Sequence, residues 1–177
     1  MLSEPRVKEA EKNVRNYLDD GLLKKQPFRK EIFAVLQRNA QESLDVADFI
    51  SRNGKSDLWV VVTSYYSMYY IANAVLYRLG YKVGDRISHK VTSDALIVFA
   101  RSKLKDGFLE GYEEAKDEAL AGMKADLLLE DFDSERKKRH LFQYETQELE
   151  KRSKARISLE RAKGFLFEME KLLAGLK

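Results

Sequence analysis

The chain has 177 residues, of which 44% are apolar and 34% charged. That balance excludes a disordered chain and fits one folded domain with a heavily charged surface. Its 32 basic and 29 acidic residues leave a net charge of only +3, so any anion-binding site must come from local clustering and not from a global field. With no cysteine and two histidines, the sequence excludes disulfides, thiolate metal sites and a cysteine nucleophile, and argues against a histidine-rich metal centre.

The two prolines, Pro5 and Pro27, lie near the start, and little beyond them forbids helix. Ser3 with Pro5 reads as the opening of a first helix that ends near Asp19-Asp20-Gly21. Pro27 opens a second, with Ile32, Val35, Leu36, Ala40, Leu44, Ala47 and Ile50 at helical spacing, and Asn53-Gly54 stops it. Ser56-Asp57 caps a third helix that runs to Gly80 and is apolar on most sides, as a helix buried in a bundle or at an oligomer interface should be. "YKVGDRI" reads as a connecting loop. Ser88 begins a fourth helix that ends at Asp106-Gly107. A fifth amphipathic segment runs from Phe108 to about Leu129, a helix restarts near Asp133 or Ser134, and the last helix covers roughly Leu149 to Leu173.

Short loops between long helices favour antiparallel neighbours, so the expected fold is an all-α, up-and-down bundle. No apolar run approaches the ~18 residues of a membrane span, and the first 30 residues carry no apolar signal segment. The expectation is a cytoplasmic protein without membrane contact and without a cofactor.

One stretch concentrates chemistry. "ERKKRHLFQYET", Glu135 to Thr146, places Arg136, Lys137, Lys138, Arg139 and His140 in succession. On a helix with Arg136 at 0°, His140 falls near ~40°, Tyr144 near ~80°, Gln143 near about −20° and Arg139 near about −60°. The five side chains share one arc, with Leu141 and Phe142 flanking it. Arginine forks grip phosphate, histidine exchanges protons near neutrality, and tyrosine donates hydrogen bonds or stacks on bases. Such a face suits RNA or nucleotide chemistry without a metal. The plainer alternative is a solvated charged helix face.

A second stretch, "SYYSMYYIANA", sets Tyr65, Tyr69 and Asn73, and likewise Tyr66, Tyr70 and Ala74, at i, i+4, i+8. It reads first as a packed aromatic core or dimer seam, with one or two tyrosines able to wall a pocket. His89 sits at a helix start, where histidine commonly has a structural role. Gly-rich phosphate loops, H-E-x-x-H and G-x-S-x-G are all absent, and paired acids such as Glu113-Glu114 read as ordinary helix surface.

In order, the segments "AQESLDVADFISRNGKSDLWVVVTSYYSMYYIANAVLYRLGY", "SHKVTSDALIVF" and "RHLFQYE" resemble the HEPN superfamily, small helical proteins of prokaryotic defence and toxin–antitoxin systems. The resemblance covers about Phe28 to Leu173. It implies a four- to five-helix bundle over residues 27–177, with residues 1–26 as an added N-terminal helix. It also implies a homodimer, a nucleotidyltransferase partner protein, and either RNA or nucleotide binding or metal-independent endoribonuclease activity. By this resemblance Arg136, Arg139, His140 and Tyr144 would be the catalytic set, with Lys137, Lys138, Gln143, Tyr65, Tyr66 and His89 as binding residues. Active HEPN nucleases typically separate arginine and histidine by four to six residues. Here only three lie between Arg136 and His140, which ranks a binding module above a nuclease.

Overall fold

The computed structural model describes residues 2–105, 107–132 and 144–176; the side chains of 125–132 and 144–149 lie outside that description. Helix α1 (Glu4–Asp19) opens where expected. Ser3 is extended and its hydroxyl accepts from the Arg6 amide, while Pro5 takes a first-turn position that needs no amide hydrogen. Helix α2 (Lys30–Arg52) starts three residues beyond Pro27. The segment before it is held extended: the Pro27 carbonyl accepts from the Tyr77 hydroxyl at 3.4 Å, and the Arg78 guanidinium lies 4.8 Å over the Phe28 ring. Asn53 and Gly54 end α2 as expected, Gly54 with φ +57° in the left-handed region that glycine enters freely.

Helix α3 (Asp57–Arg78) is capped by the Ser56 hydroxyl, which accepts from the Trp59 amide. It buries residues on every side, among them Tyr65, Met68, Ile71 and Leu76, so it is the central rod of the molecule. Its neighbours fix their directions from named contacts. Ala47 of α2 packs with Val60 of α3 and with Ala155 and Leu159 of α6 (Tyr144–Gly175). At the other end Arg78 Nη2 donates to the Leu176 carbonyl at 3.0 Å, so α3 and α6 run parallel. Helix α5 (Phe108–Phe132) runs antiparallel to α6: Glu114 meets Arg161 at 2.8 Å and Glu118 accepts from Ser158 at 3.4 Å.

Helix α4 (Ser88–Phe99) is shorter than its sequence pattern implies. It stops before Ala100, which is fully buried, and a single 3₁₀ turn (Arg101–Lys103) follows. Ser88 is its first residue and not its cap. That place falls to Ile87, whose φ of +44° is the one left-handed non-glycine backbone among the described residues. The expected loop "YKVGDRI" is part strand: β2 (Tyr81–Val83) pairs antiparallel with β1 (Leu23–Lys25), Leu23 opposite Val83 and Lys25 opposite Tyr81. The chain is thus an all-α bundle with one small two-stranded sheet. Helix α5 runs three residues past its expected end, and α6 begins at Tyr144, five residues before its expected start.

Helix α1 packs mainly on α4, and Val7, Ala10, Val14 and Tyr17 enter the same core as α3. Each large apolar side chain buried there contributes about 1.5–3 kcal/mol. The docking also has a polar part. Asp94 of α4 is completely buried and receives three α1 donors: Arg6 Nη2 at 2.6 Å, Asn13 Nδ2 at 3.0 Å and the Tyr17 hydroxyl at 2.9 Å. Arg6 also forks onto Glu113 of α5, whose Oε1 accepts from Ser93 Oγ at 3.1 Å.

Candidate functional site

The sequence offers two candidate regions, and the structure describes one of them. Arg136, Lys137, Lys138, Arg139, His140 and Gln143 lie outside the described residues. Tyr144 is the first residue of α6, and its side chain lies outside them too. Tyr65, Tyr66 and His89 are all described, and they come together.

The convergence follows from helical spacing. Tyr65, Tyr66, Tyr69 and Tyr70 fall on successive turns of α3 and form a ladder, with ring centroids 5.6 to 6.3 Å apart. Ile87 turns the chain so that α4 starts against this ladder. His89, in the first turn of α4, then meets three of the four rings: Tyr69 at 4.7 Å, Tyr65 at 5.5 Å and Tyr66 at 5.9 Å. Further along α4, Thr92 meets Asn73 at 3.2 Å and locks the two helices in register.

His89 is held by one hydrogen bond. Its Nδ1 lies 2.7 Å from the Tyr65 hydroxyl. When Nδ1 accepts, Nε2 carries the proton, and no described residue bonds to it. Burial, and then the charge of Lys116 on α5, push the imidazole below its ordinary pKa, so it is neutral at pH 7. Burial likewise raises the Tyr65 and Tyr66 hydroxyls, which keeps both protonated.

The participants divide by exposure. Tyr65 has no exposed surface, and its hydroxyl is engaged with His89, so it positions the imidazole. Tyr66, Tyr69 and His89 keep accessible area and can touch a ligand. Tyr112 of α5 closes the cluster from below: it is fully buried, 5.9 Å from the Tyr65 ring and stacked at 5.4 Å on Phe165. Its hydroxyl faces the Tyr65 hydroxyl, and burial, with that neighbour, keeps it protonated. One turn on, Lys116 adds the cation, its ammonium 3.4 Å from Asp117. Tyr69, Tyr112 and Lys116 were not among the sequence candidates. The tyrosine ladder was visible, but a lysine on another helix cannot be assigned to it without the α3–α5 packing.

This arrangement presents partly exposed aromatic faces, a neutral imidazole and one ammonium. It can stack a flat ring and donate to an anion. A cleft elsewhere on the described surface differs in character. It has a volume of about 510 Å³ between α5 and α6 and is lined by Glu110, Glu114 and Glu160 with Arg161, a balance that repels polyanions. Among the described residues no three acidic or histidine side chains gather as a metal site, and no helix is long and apolar enough to cross a membrane. Tyr144 stands eleven residues before Ala155, so the start of α6 lies about 16 Å along that helix from the Val60 contact. Tyr66 lies about 9 Å beyond Val60 in the opposite direction. The axial separation alone is therefore roughly 25 Å. Comparison with protein-family models, curated proteins and solved structures returns no match for the chain.

Proposed function

We propose that the chain is a HEPN-type helical module that binds single-stranded RNA. On this reading Tyr66 and Tyr69 stack on bases beside His89, and the basic segment from Arg136 to Tyr144 holds backbone phosphate. The observation that carries the reading is the His89 cluster, which joins aromatic faces to a neutral donor and an ammonium. Stacking of a base on such a ring contributes about 1–3 kcal/mol, and one ammonium near a phosphate adds a salt-sensitive term. The separation of roughly 25 Å between this cluster and the start of α6 supports an extended strand over a single nucleotide. A strand of several nucleotides can run from the cluster to the start of α6, and a mononucleotide cannot. Binding ranks above cleavage because the Arg136–His140 spacing is short of the nuclease pattern.

Fluorescence anisotropy of a labelled pyrimidine-rich RNA tests the reading. Binding should be tight at low salt and weaken as salt rises. Tyr69→Ala should weaken it roughly tenfold, and Lys116→Ala should reduce the salt slope by about 0.7. No binding at low salt refutes the proposal. Cleavage of the RNA in EDTA, lost in His140→Ala, would make the protein a nuclease instead. Capture of a nucleotidyltransferase without any RNA affinity would make it a partner-binding module.

A further inference from the structure

Helix α2 buries two residues, Ala40 and Ala47, and turns its other side to solvent. On that side Val35, Val46 and Phe49 are 42%, 46% and 64% exposed. At 100° per residue, Val46 and Phe49 lie only about 20° and 40° from Val35, so the three make one apolar line along the helix. Isolated exposed apolar residues need no explanation, but a line of them with helical spacing does.

The charges beside this line follow a rule. Glu31, Arg38, Asp45 and Arg52 recur every seven residues, all exposed, on the flank away from α3. Their signs alternate: negative, positive, negative, positive. A second α2 laid parallel and in register would set each charge on its like. Laid antiparallel, with a two-fold axis near Gln41 and Glu42, it sets Glu31 on Arg52, Arg38 on Asp45 and Val35 on Phe49, each twice by symmetry. Within the chain Arg38 meets Glu42 at 3.8 Å and Arg52 meets Asp48 at 2.6 Å, each through one nitrogen, which leaves guanidinium donors for a partner.

On the opposite flank the line borders a groove of about 340 Å³ between α2 and α3, lined by Asn39, Ser43, Thr63 and Tyr70. Trp59 stands half exposed at the start of α3. A footprint from Glu31 to Arg52 is about 32 Å long, and α2 together with the adjoining edge of α3 at Trp59, Thr63 and Tyr70 makes it about 20 Å wide. That is roughly 650 Å² per copy and about 1,300 Å² in total, above the ~1,000 Å² a specific interface needs.

We infer that this face is the seam of a symmetric dimer of the chain, with α2 packed antiparallel on α2 of a second copy. The inference rests on α2 and the adjoining edge of α3, and it does not depend on RNA binding at His89. It places the two-fold axis at Gln41 and Glu42, to which the HEPN resemblance gives no catalytic or binding role.

The 177-residue chain should be a dimer by light scattering after gel filtration. Arg38→Asp should raise the dimer dissociation constant roughly tenfold or more, and the double variant Arg38→Asp/Asp45→Arg should return to within about threefold of the parent. The chain has no cysteine of its own, so Glu42→Cys, on the axis, should give a disulfide-linked dimer under mild oxidation. Ile157→Cys, exposed on α6, should not. Circular dichroism confirms that each surface variant is folded. A monomer at the highest soluble concentration overturns the inference and leaves the face to a different protein. So does a dimer that the double variant fails to restore, or one linked through Ile157→Cys and not through Glu42→Cys.

Discussion

Replacing Asp94 with alanine removes the single acceptor on which three α1 side chains converge. Asp94 has no exposed surface and accepts from Arg6 at 2.6 Å, Tyr17 at 2.9 Å and Asn13 at 3.0 Å. Breaking a buried ion pair by removing one partner costs about 3–5 kcal/mol when the other charge is stranded. Arg6 is not stranded, because its Nε and Nη2 still reach Glu113 at 3.0 and 2.6 Å, which favours the lower end. The Tyr17 hydroxyl and the Asn13 amide each lose an acceptor, at about 1 kcal/mol apiece. The expected loss is therefore about 5 kcal/mol, read from urea unfolding with an unchanged slope. A double-mutant cycle isolates the convergence: Tyr17→Phe should cost about 1 kcal/mol in the parent and almost nothing in Asp94→Ala. A loss below ~1 kcal/mol for Asp94→Ala, or a Tyr17→Phe cost that is the same in both backgrounds, would refute the clamp.

Three further perturbations follow from the site. The native His89 pKa is depressed from 6.5 by burial and then by Lys116, so the unfolded chain binds this proton more readily; stability is full above the unfolded value and falls as pH drops from about 6.5 towards the native one. His89→Gln should abolish that slope in unfolding experiments at a series of pH values. The Tyr65 hydroxyl bonds to His89 and also faces the buried Tyr112 hydroxyl, so Tyr65→Phe should destabilise by about 1 kcal/mol and Tyr112→Phe by less; the opposite order in thermal melts would show that Tyr112 makes the stronger bond. Ile87 holds a left-handed backbone at φ +44° while 56% exposed, so Ile87→Gly should raise stability by about 1 kcal/mol, and a lowered melting temperature would show that the Ile87 side chain contributes packing that outweighs the strain.

The parts of this fold that could be read in advance are those with local causes. Ser3, Ser56 and Asn53-Gly54 mark helix ends through hydrogen bonds and backbone preferences that lie within a few residues. The apolar period of α2 and the all-round apolar character of α3 are equally local. What escaped depends on distant partners. Strands β1 and β2 are three residues each, too short for an alternating pattern, and exist because residues on either side of two helices meet. Arg6, Asp94 and Glu113 each look like ordinary helix surface charge, and only the docking of α1 on α4 and α5 makes them a buried network. At the candidate site the tyrosine ladder and His89 were legible separately. Their 2.7 Å contact was not, because it depends on how α4 starts from the strained turn at Ile87.

The clamp and the His89 cluster share two helices, and this ties α1 to the site. Helix α4 carries both His89 and Asp94, and α5 carries Tyr112, Glu113 and Lys116 within two turns. Arg6 bridges Asp94 to Glu113, and Ser93 bonds the same carboxylate, so the spacing of α4 and α5 is fixed one turn from where Lys116 acts on His89. Arg6→Lys keeps the charge but cannot fork onto two carboxylates from one planar group. The variant should remain folded, since the α1 apolar face is intact, while α4 and α5 loosen. Water then reaches the imidazole, and both causes of its depressed pKa weaken. An NMR titration should find the His89 pKa closer to 6.5 in Arg6→Lys than in the parent. An unchanged titration would show that the α3–α4 contact between Tyr65 and His89 sets the imidazole without help from α1.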